Sequence, residues 1–337
     1  MIQLREISDR VLLTILTIIL AAIAIISLCL GPTKITILEI LFALFGRGTT
    51  VQNIIILELR LPRVLLGIMF GGMLGFSGAA LQGLLRNPLA DPSLIGVTAA
   101  ASLGAVIAIG FGMAAISVII IPLAAIISAT LATMLLFIIA TRNDNLLVLI
   151  LTGISISSLS TALTSLAFNL APDPMTLRDM IFWLLGSLEN RTTADLMIST
   201  PFVLLGWIIM ATVGRSLDAM SLGEETVKSL GINVKLLSWR IILGVSISVG
   251  AMVAVCGAVG FVGLVVPHIL RPFVGYQPGR LLIASALGGA ILITLADLLT
   301  RLPNEGNPIQ LGVVTSLIGS PIFIWIIQRY QVNNDTK

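Results

Sequence analysis

The sequence predicts an all-α polytopic membrane protein with ten transmembrane helices in a single domain over residues 1–337, and three observations carry that prediction. Of the 337 residues, 57% are hydrophobic and only 10% are charged, whereas a soluble globular domain carries about 25% charged residues. Eight stretches free of Asp, Glu, Lys and Arg together occupy 211 residues. A helix needs roughly 20 apolar residues to cross about 30 Å of hydrocarbon, and most of the stretches supply them. Within hydrocarbon every backbone N–H and C=O must find an internal partner, so segments of this length fold as helices.

Residues 11–33 give 23 charge-free positions and the first span. A secretory signal is the competing reading. Its apolar core would be too long here, and the opening MIQLREISDR carries two acids, so the segment is expected to remain as a helix. Residues 64–85 form the second span. Residues 92–141 run for 50 positions without a charge, interrupted at Gly110-Phe111-Gly112 and again at Pro122, so they turn back once and give two spans. Residues 145–172 and 196–214 give one span each. Residues 241–270, at 30 positions, are too long for one upright helix and short for two. Residues 281–296 are short but continue through Asp297 to Thr300, and residues 306–328 give the last span. The simple count is nine, and a tenth comes from the glycine-broken half around Gly257, Gly260 and Gly263 that continues through His268 to Phe273. With ten spans and both ends in the cytoplasm, 12 of the 19 Lys and Arg fall inside and 7 outside, the expected direction.

Local patterns assign roles to several spans. In the second, Gly67, Gly71 and Gly75 lie four apart on one face, a surface for close helix packing either within the chain or across a dimer seam. In the fifth, Ser155, Ser158, Thr161 and Ser165 recur at helical spacing. Their hydroxyls either bond within the bundle or wall a polar pathway. Between spans, the charged segment 215–240 is a structured loop with a helix over 222–230. Ser221 and Glu224 fit a capping box, Val227 and Leu230 give an apolar side, and Gly231 is the left-handed stop. The acidic first turn favours docking on a protein over resting on headgroups. RVLLG at Arg63 and RIILG at Arg240 each open a glycine-rich span, a faint echo of an inverted repeat.

Other chemistry is excluded. Cys29 and Cys256 lie in apolar runs and read as small buried residues. A single histidine and a net charge of +3 leave few resources for metal binding or nucleic-acid binding, and no catalytic or metal-ligating residue is expected. No GxxxxGK[ST] loop occurs, so the chain does not bind nucleotide by that route. Asp297 is the only acid inside an expected span and lies near its outer end, a poor place for proton or sodium coupling. The energy source is expected on another subunit.

Five motifs in order, LRLPRVLLGIMFGGMLGFSGAALQGLLRNPLADPSLIGV, SLGEETVKSLGINV, GAVGFVGLVVPHILRPFVG, ADLLTRLP and LGVVTSLIGSPIFIWII, span residues 59–327. They closely resemble the permease subunits of the FecCD family, the importers of ferric siderophores, haem and cobalamin, with the BtuC-like (type II ABC importer) fold. The resemblance implies a second permease subunit, expected to be an identical copy, and two ABC ATPase subunits that hold ATP and Mg. It also implies a periplasmic or lipid-tethered binding protein that delivers a metal chelate, foremost a ferric siderophore. The chain itself is expected to bind no cofactor and to sit in the cytoplasmic (inner) membrane of a bacterium or archaeon. By the same resemblance, Arg60, Arg63 and Arg301 dock the binding protein. Gly223, Glu224, Glu225 and Lys228 carry the coupling to the ATPase. Asn87, Pro88 and Leu89, with Leu146 and Leu147, form the cytoplasmic gate, although NDNLLV departs from the family pattern there. His268 in GLVVPHILRP is expected to support the broken helix rather than to bind metal.

Overall fold

Apolar runs with no charge fold as helices, and their breaks fall where glycine, proline or a cap ends the hydrogen-bond ladder. The computed structural model describes residues 8–334, apart from 32, 34, 118, 141–145 and 302–308. The chain opens with α1 (Asp9–Cys29), followed by two short helices, α2 (Ile37–Leu44) and α3 (Thr50–Asn53). Capping boxes start both short helices, Thr36 with Glu39 and Thr49 with Gln52. A π-helical segment, Ile54–Arg60, carries α3 without interruption into α4 (Leu61–Leu85). Arg86, in the left-handed conformation at φ 49°, ends α4.

After α4 the chain forms α5 (Val97–Gly110), α6 (Ile120–Ala140), α7 (Leu146–Asn169), α8 (Pro174–Leu184) and α9 (Thr193–Met210). Then come α10 (Val213–Met220), α11 (Glu224–Ser229), α12 (Val234–Cys256), α13 (Val262–Leu270), α14 (Pro278–Thr300) and α15 (Leu311–Asn334). Among the described residues seven helices are long and apolar enough to cross a membrane, and three shorter apolar ones fill the remaining expected positions: Val97–Gly110, Val262–Val274 and Leu311–Ile324. Together they occupy the ten places read from the sequence. The turn expected at Gly110-Phe111-Gly112 forms, with Gly112 at φ 67°. Pro122 does not break a helix; it sits in the first turn of α6, where a missing N–H removes no ladder bond. The 30-residue run divides into α12 and α13 at Gly257, whose φ is 77°.

The centre of the bundle is α4, which packs along α14 and also touches α9, α12 and α13. A methyl group on Gly71 would overlap the carbonyl of Gly289, one on Gly75 the carbonyl of Ser285, and one on Gly78 the carbonyl of Gly263. The glycine face of α4 is thus spent on α14 and α13 inside the chain. Such close backbone approach supplies the dispersion contacts that hydrophobicity cannot supply between helices in lipid. In contrast α1 lies at the edge, against α14, and α7 packs through one side on α5 and α6.

This packing predicts a position-specific cost. Gly75→Ala places its methyl on a backbone carbonyl, and we expect it to lower stability by about 1–3 kcal/mol. Gly72→Ala, whose nearest foreign atom would be the Ala286 carbonyl at 3.6 Å, should leave the melting temperature in detergent unchanged. Equal melting temperatures for the two variants would contradict the seam.

Candidate functional site

At the end of the bundle where α1 finishes, α4 begins and α14 finishes, two of the three expected docking arginines, Arg63 and Arg301, grip one acid, and the third, Arg60, binds the adjoining end of α1. Asp297, 2% exposed, accepts from Arg63 through Nε at 3.0 Å to each carboxylate oxygen and through Nη2 at 2.8 Å. It also accepts from Arg301, one turn further along α14, through Nε at 3.1 Å and through Nη2. Arg301 continues to α1, donating to the Ser27 carbonyl at 2.7 Å and to the Ser27 hydroxyl at 3.0 Å. Arg60, 7% exposed, donates to the Leu28 carbonyl at 2.7 Å, the Cys29 carbonyl at 2.9 Å and the Thr33 carbonyl. The Leu28 and Cys29 carbonyls end α1 with no helical partner, and cations there also complement the helix dipole. The guanidinium groups are therefore turned onto helix ends and onto Asp297. The pairing of Asp297 was not read from the sequence. The signal was present, because an acid inside a span needs a cationic partner and Arg301 stands four residues away.

The expected gate residues lie at the opposite end, after α4. Asn87 and Leu89 are exposed and Pro88 is half-buried. The Asn87 side chain accepts from the Leu89 N–H at 2.9 Å, which folds the turn back on itself. Asp91 then caps the short 3-10 turn Pro92–Ile95 by accepting from the Ser93 N–H. Its carboxyl lies against the glycine face of α13, and this burial raises its pKa against the opposing Ser93 bonds. Leu146 opens α7, Leu147 is exposed, and residues 143–145 of the NDNLLV turn lie outside the described residues.

Along α7 the buried side runs through Leu149, Thr152, Ile156, Ser160 and Thr164, and Gly153 meets the backbone of Leu94. Ser155, Ser158, Thr161 and Ser165 are all exposed. Ser155, Thr161 and Ser165 donate to carbonyls four residues back at 2.8, 2.8 and 3.0 Å. Their hydroxyl protons are satisfied within the helix, while the oxygens still offer a weakly polar outline.

The loop helix differs from its expectation at its start. Gly223, at φ 105°, is the N-cap of α11, and Glu224 is its first residue. Ser221 forms no capping box. It closes α10 instead, its hydroxyl donating to the Asp218 carbonyl at 2.6 Å, because α10, which the sequence reading missed, ends one residue earlier. The stop at Gly231 forms as expected, with Ile232 N–H donating to the Val227 carbonyl and Gly231 N–H to that of Lys228. Val227 is fully buried, but Leu230, expected on the same apolar side, is 59% exposed. Glu225 and Lys228 are exposed on the outer side. Among the described residues no three His, Cys, Asp or Glu gather as a metal site.

Comparison with known proteins places this arrangement. The model of the FecCD transport family matches residues 18–329. The vitamin B12 import system permease BtuC of Vibrio cholerae is 39% identical over 296 residues, covering 86% of this chain and 88% of that protein. The hemin transport system permease HmuU of Yersinia pestis is 35% identical, covering 91% of this chain and 93% of that protein. A solved inward-facing structure, assigned to a metal-chelate type ABC transporter, superposes with a TM-score of 0.84 at 32% identity, covering 94% of this chain and 98% of that one.

Removing the carboxylate while keeping its shape tests the cluster. Asp297→Asn leaves two mostly covered guanidinium groups without their counter-charge, and since both keep some contact with solvent the cost falls below that of a fully buried pair, about 3–5 kcal/mol. We expect a clear drop in melting temperature and earlier proteolysis between α1 and α2. An unchanged melting temperature would show that the cluster holds nothing together.

Proposed function

The chain belongs to the FecCD transport family, and from that premise we propose that it forms, with a second identical copy, the pathway through which a ferric siderophore enters the cell. As a family member it is the multi-pass permease subunit of an ABC importer of the metal-chelate class and not itself an ATPase. Membership implies a separate ATPase and a substrate-binding protein as partners. The members named above are permeases for vitamin B12 and hemin, and a further relative is a molybdate permease, so haem, cobalamin or molybdate is the alternative cargo of the same machine.

The observation that carries the reading is the exposed hydroxyl stripe of α7. Ser155, Ser158, Thr161 and Ser165 face away from their own bundle in a chain otherwise built to face lipid. Two copies meeting around this stripe enclose a weakly polar vestibule with no strong ligand. Cargo is then touched lightly and recognised elsewhere, by the binding protein, so that release needs little differential energy. Both chain ends lie in the cytoplasm in this reading. The turn at Asn87, Pro88 and Leu89, with Leu146 and Leu147, closes the vestibule on that side, and α11 docks on the ATPase through Gly223, Glu224, Glu225 and Lys228. Arg63 and Arg301 exceed the charge of Asp297 by one, and Arg60, on the adjoining end of α1, adds a further positive charge. That positive end attracts acidic lobes of the binding protein even though each guanidinium is held from within.

Three measurements test the parts separately. In proteoliposomes holding the permease, its ATPase and the loaded binding protein, ferric siderophore uptake should require ATP; uptake driven by a proton or sodium gradient without ATP would make the protein a secondary transporter. The double change Glu224→Lys and Glu225→Lys should abolish stimulation of the ATPase by the binding protein while the melting temperature holds; an unaltered stimulated rate removes α11 from coupling. Binding-protein association with the intact chain should weaken steeply once salt shortens the screening length below about 8 Å. A salt-independent association would rule out electrostatic docking at this end.

A further inference from the structure

Opposite the Asp297 cluster, α1 begins, α9 passes into α10, and α14 begins, and these ends leave a cavity of about 690 Å3 between them. That volume is in the range of small-molecule sites, about 300–1,000 Å3. Its lining has two halves. Leu13 and Ile283 belong to the second turns of two spans, and Ile283 is 56% exposed. Asp9, Arg215, Asp218 and Arg280 supply two positive and two negative charges.

The four charges are committed to different degrees. Asp218 accepts from the Gly279 N–H at 2.7 Å and so ties α10 to the start of α14. Arg280 meets Asp9 through Nε at 3.0 Å, but their side chains are 47% and 39% exposed. A pair so exposed contributes little and can be shared. Arg215 is exposed and makes no hydrogen bond or ion pair among the described residues. The cavity thus stands where a span meets water, apolar toward the membrane, with one uncommitted guanidinium beside a half-exposed ion pair.

We propose that this cavity holds a phospholipid with a phosphoethanolamine headgroup, its phosphate on Arg215 and the free Nη groups of Arg280, its ammonium on Asp9, and an acyl chain along Leu13 and Ile283. Basic pockets between transmembrane helices bind lipid headgroups. Two carboxylates in the same lining distinguish this one, because a net-negative headgroup meets repulsion from Asp9 and Asp218 that a charge-balanced one does not. A choline headgroup has no N–H to donate to Asp9. The leaflet is the one at the amino-terminal end, cytoplasmic in the orientation proposed above, and the lipid reading does not depend on the cargo.

Native mass spectrometry of the full chain tests this, with phosphatidylethanolamine, phosphatidylglycerol, phosphatidylcholine and diacylglycerol of identical acyl chains. We expect one phosphatidylethanolamine to be retained in clear preference to the other three. Arg215→Gln should weaken its retention about tenfold, the size of one lost charge-assisted hydrogen bond. Ile283→Trp, which narrows the apolar half, should weaken it without touching a charge. Equal or better retention of phosphatidylglycerol overturns the proposal in favour of a plain anion site, and equal retention of diacylglycerol reduces it to an apolar groove. Wild-type retention by a folded Arg215→Gln chain overturns it as well. The selectivity of the wild-type chain decides the matter if that variant does not fold.

Discussion

A carboxylate buried at the end of a membrane helix cannot stand alone, and the architecture follows from how Asp297 is neutralised. Its partners come from α4 and from its own helix, and one of them reaches on to α1. Burial makes each of these bonds stronger than it would be in water and makes the loss of any one costly. The seam between α4 and α14 depends on this anchoring, since glycine faces attract only at contact. A helix slipped by one residue would put Leu74 or Phe76 where Gly75 now meets a backbone carbonyl. At the far end of α14, Asp218 holds the first turn through the Gly279 N–H. The central helix pair is thus fixed at one end by charge and along its length by shape.

The parts that bear on transport lie away from that fixed centre. α7 is attached along one side, and α11 is six residues long and held chiefly by Val227. Elements with few buried contacts are the ones that can move without unfolding the rest. The two arginines of the faint sequence echo also act alike. Arg63 opens α4 and grips the end of its neighbour α14; Arg240, near the start of α12, donates to the Ile209 carbonyl and Thr212 at the end of its neighbour α9. In each case a cation near the start of one helix secures the end of an adjacent one, Arg63 through the Asp297 carboxylate and Arg240 through a backbone carbonyl.

Much of this was legible in the sequence because membranes leave few choices. Charge gaps located the apolar helices, the broken run at Gly257 divided as its length required, and Gly231 stopped α11 where a left-handed residue was needed. The failures were local competitions that pattern cannot referee. Ser221 could cap α11 or close α10, and the presence of α10 decided for the second. Val227 and Leu230 looked equivalent, yet only one finds a neighbour to bury it. Arg60, Arg63 and Arg301 stood out as charges against the topological bias, but spacing alone could not say whether they pointed outward or held helix ends.

The sequence by itself determined that this chain is a helical membrane protein of about ten spans, since continuous apolar runs of this length suit helices, whereas the strands of a closed barrel are shorter and alternate in polarity. Its motifs, residue by residue, identified the family. Only the tertiary structure decided which charges are already spent and which surfaces remain open. That division depends on contacts between residues far apart in the chain, such as Arg63 with Asp297 at 234 positions, and on which face of α7 finds a neighbour. Pairing of this kind is a property of distance in space, which the order of residues along the chain does not contain.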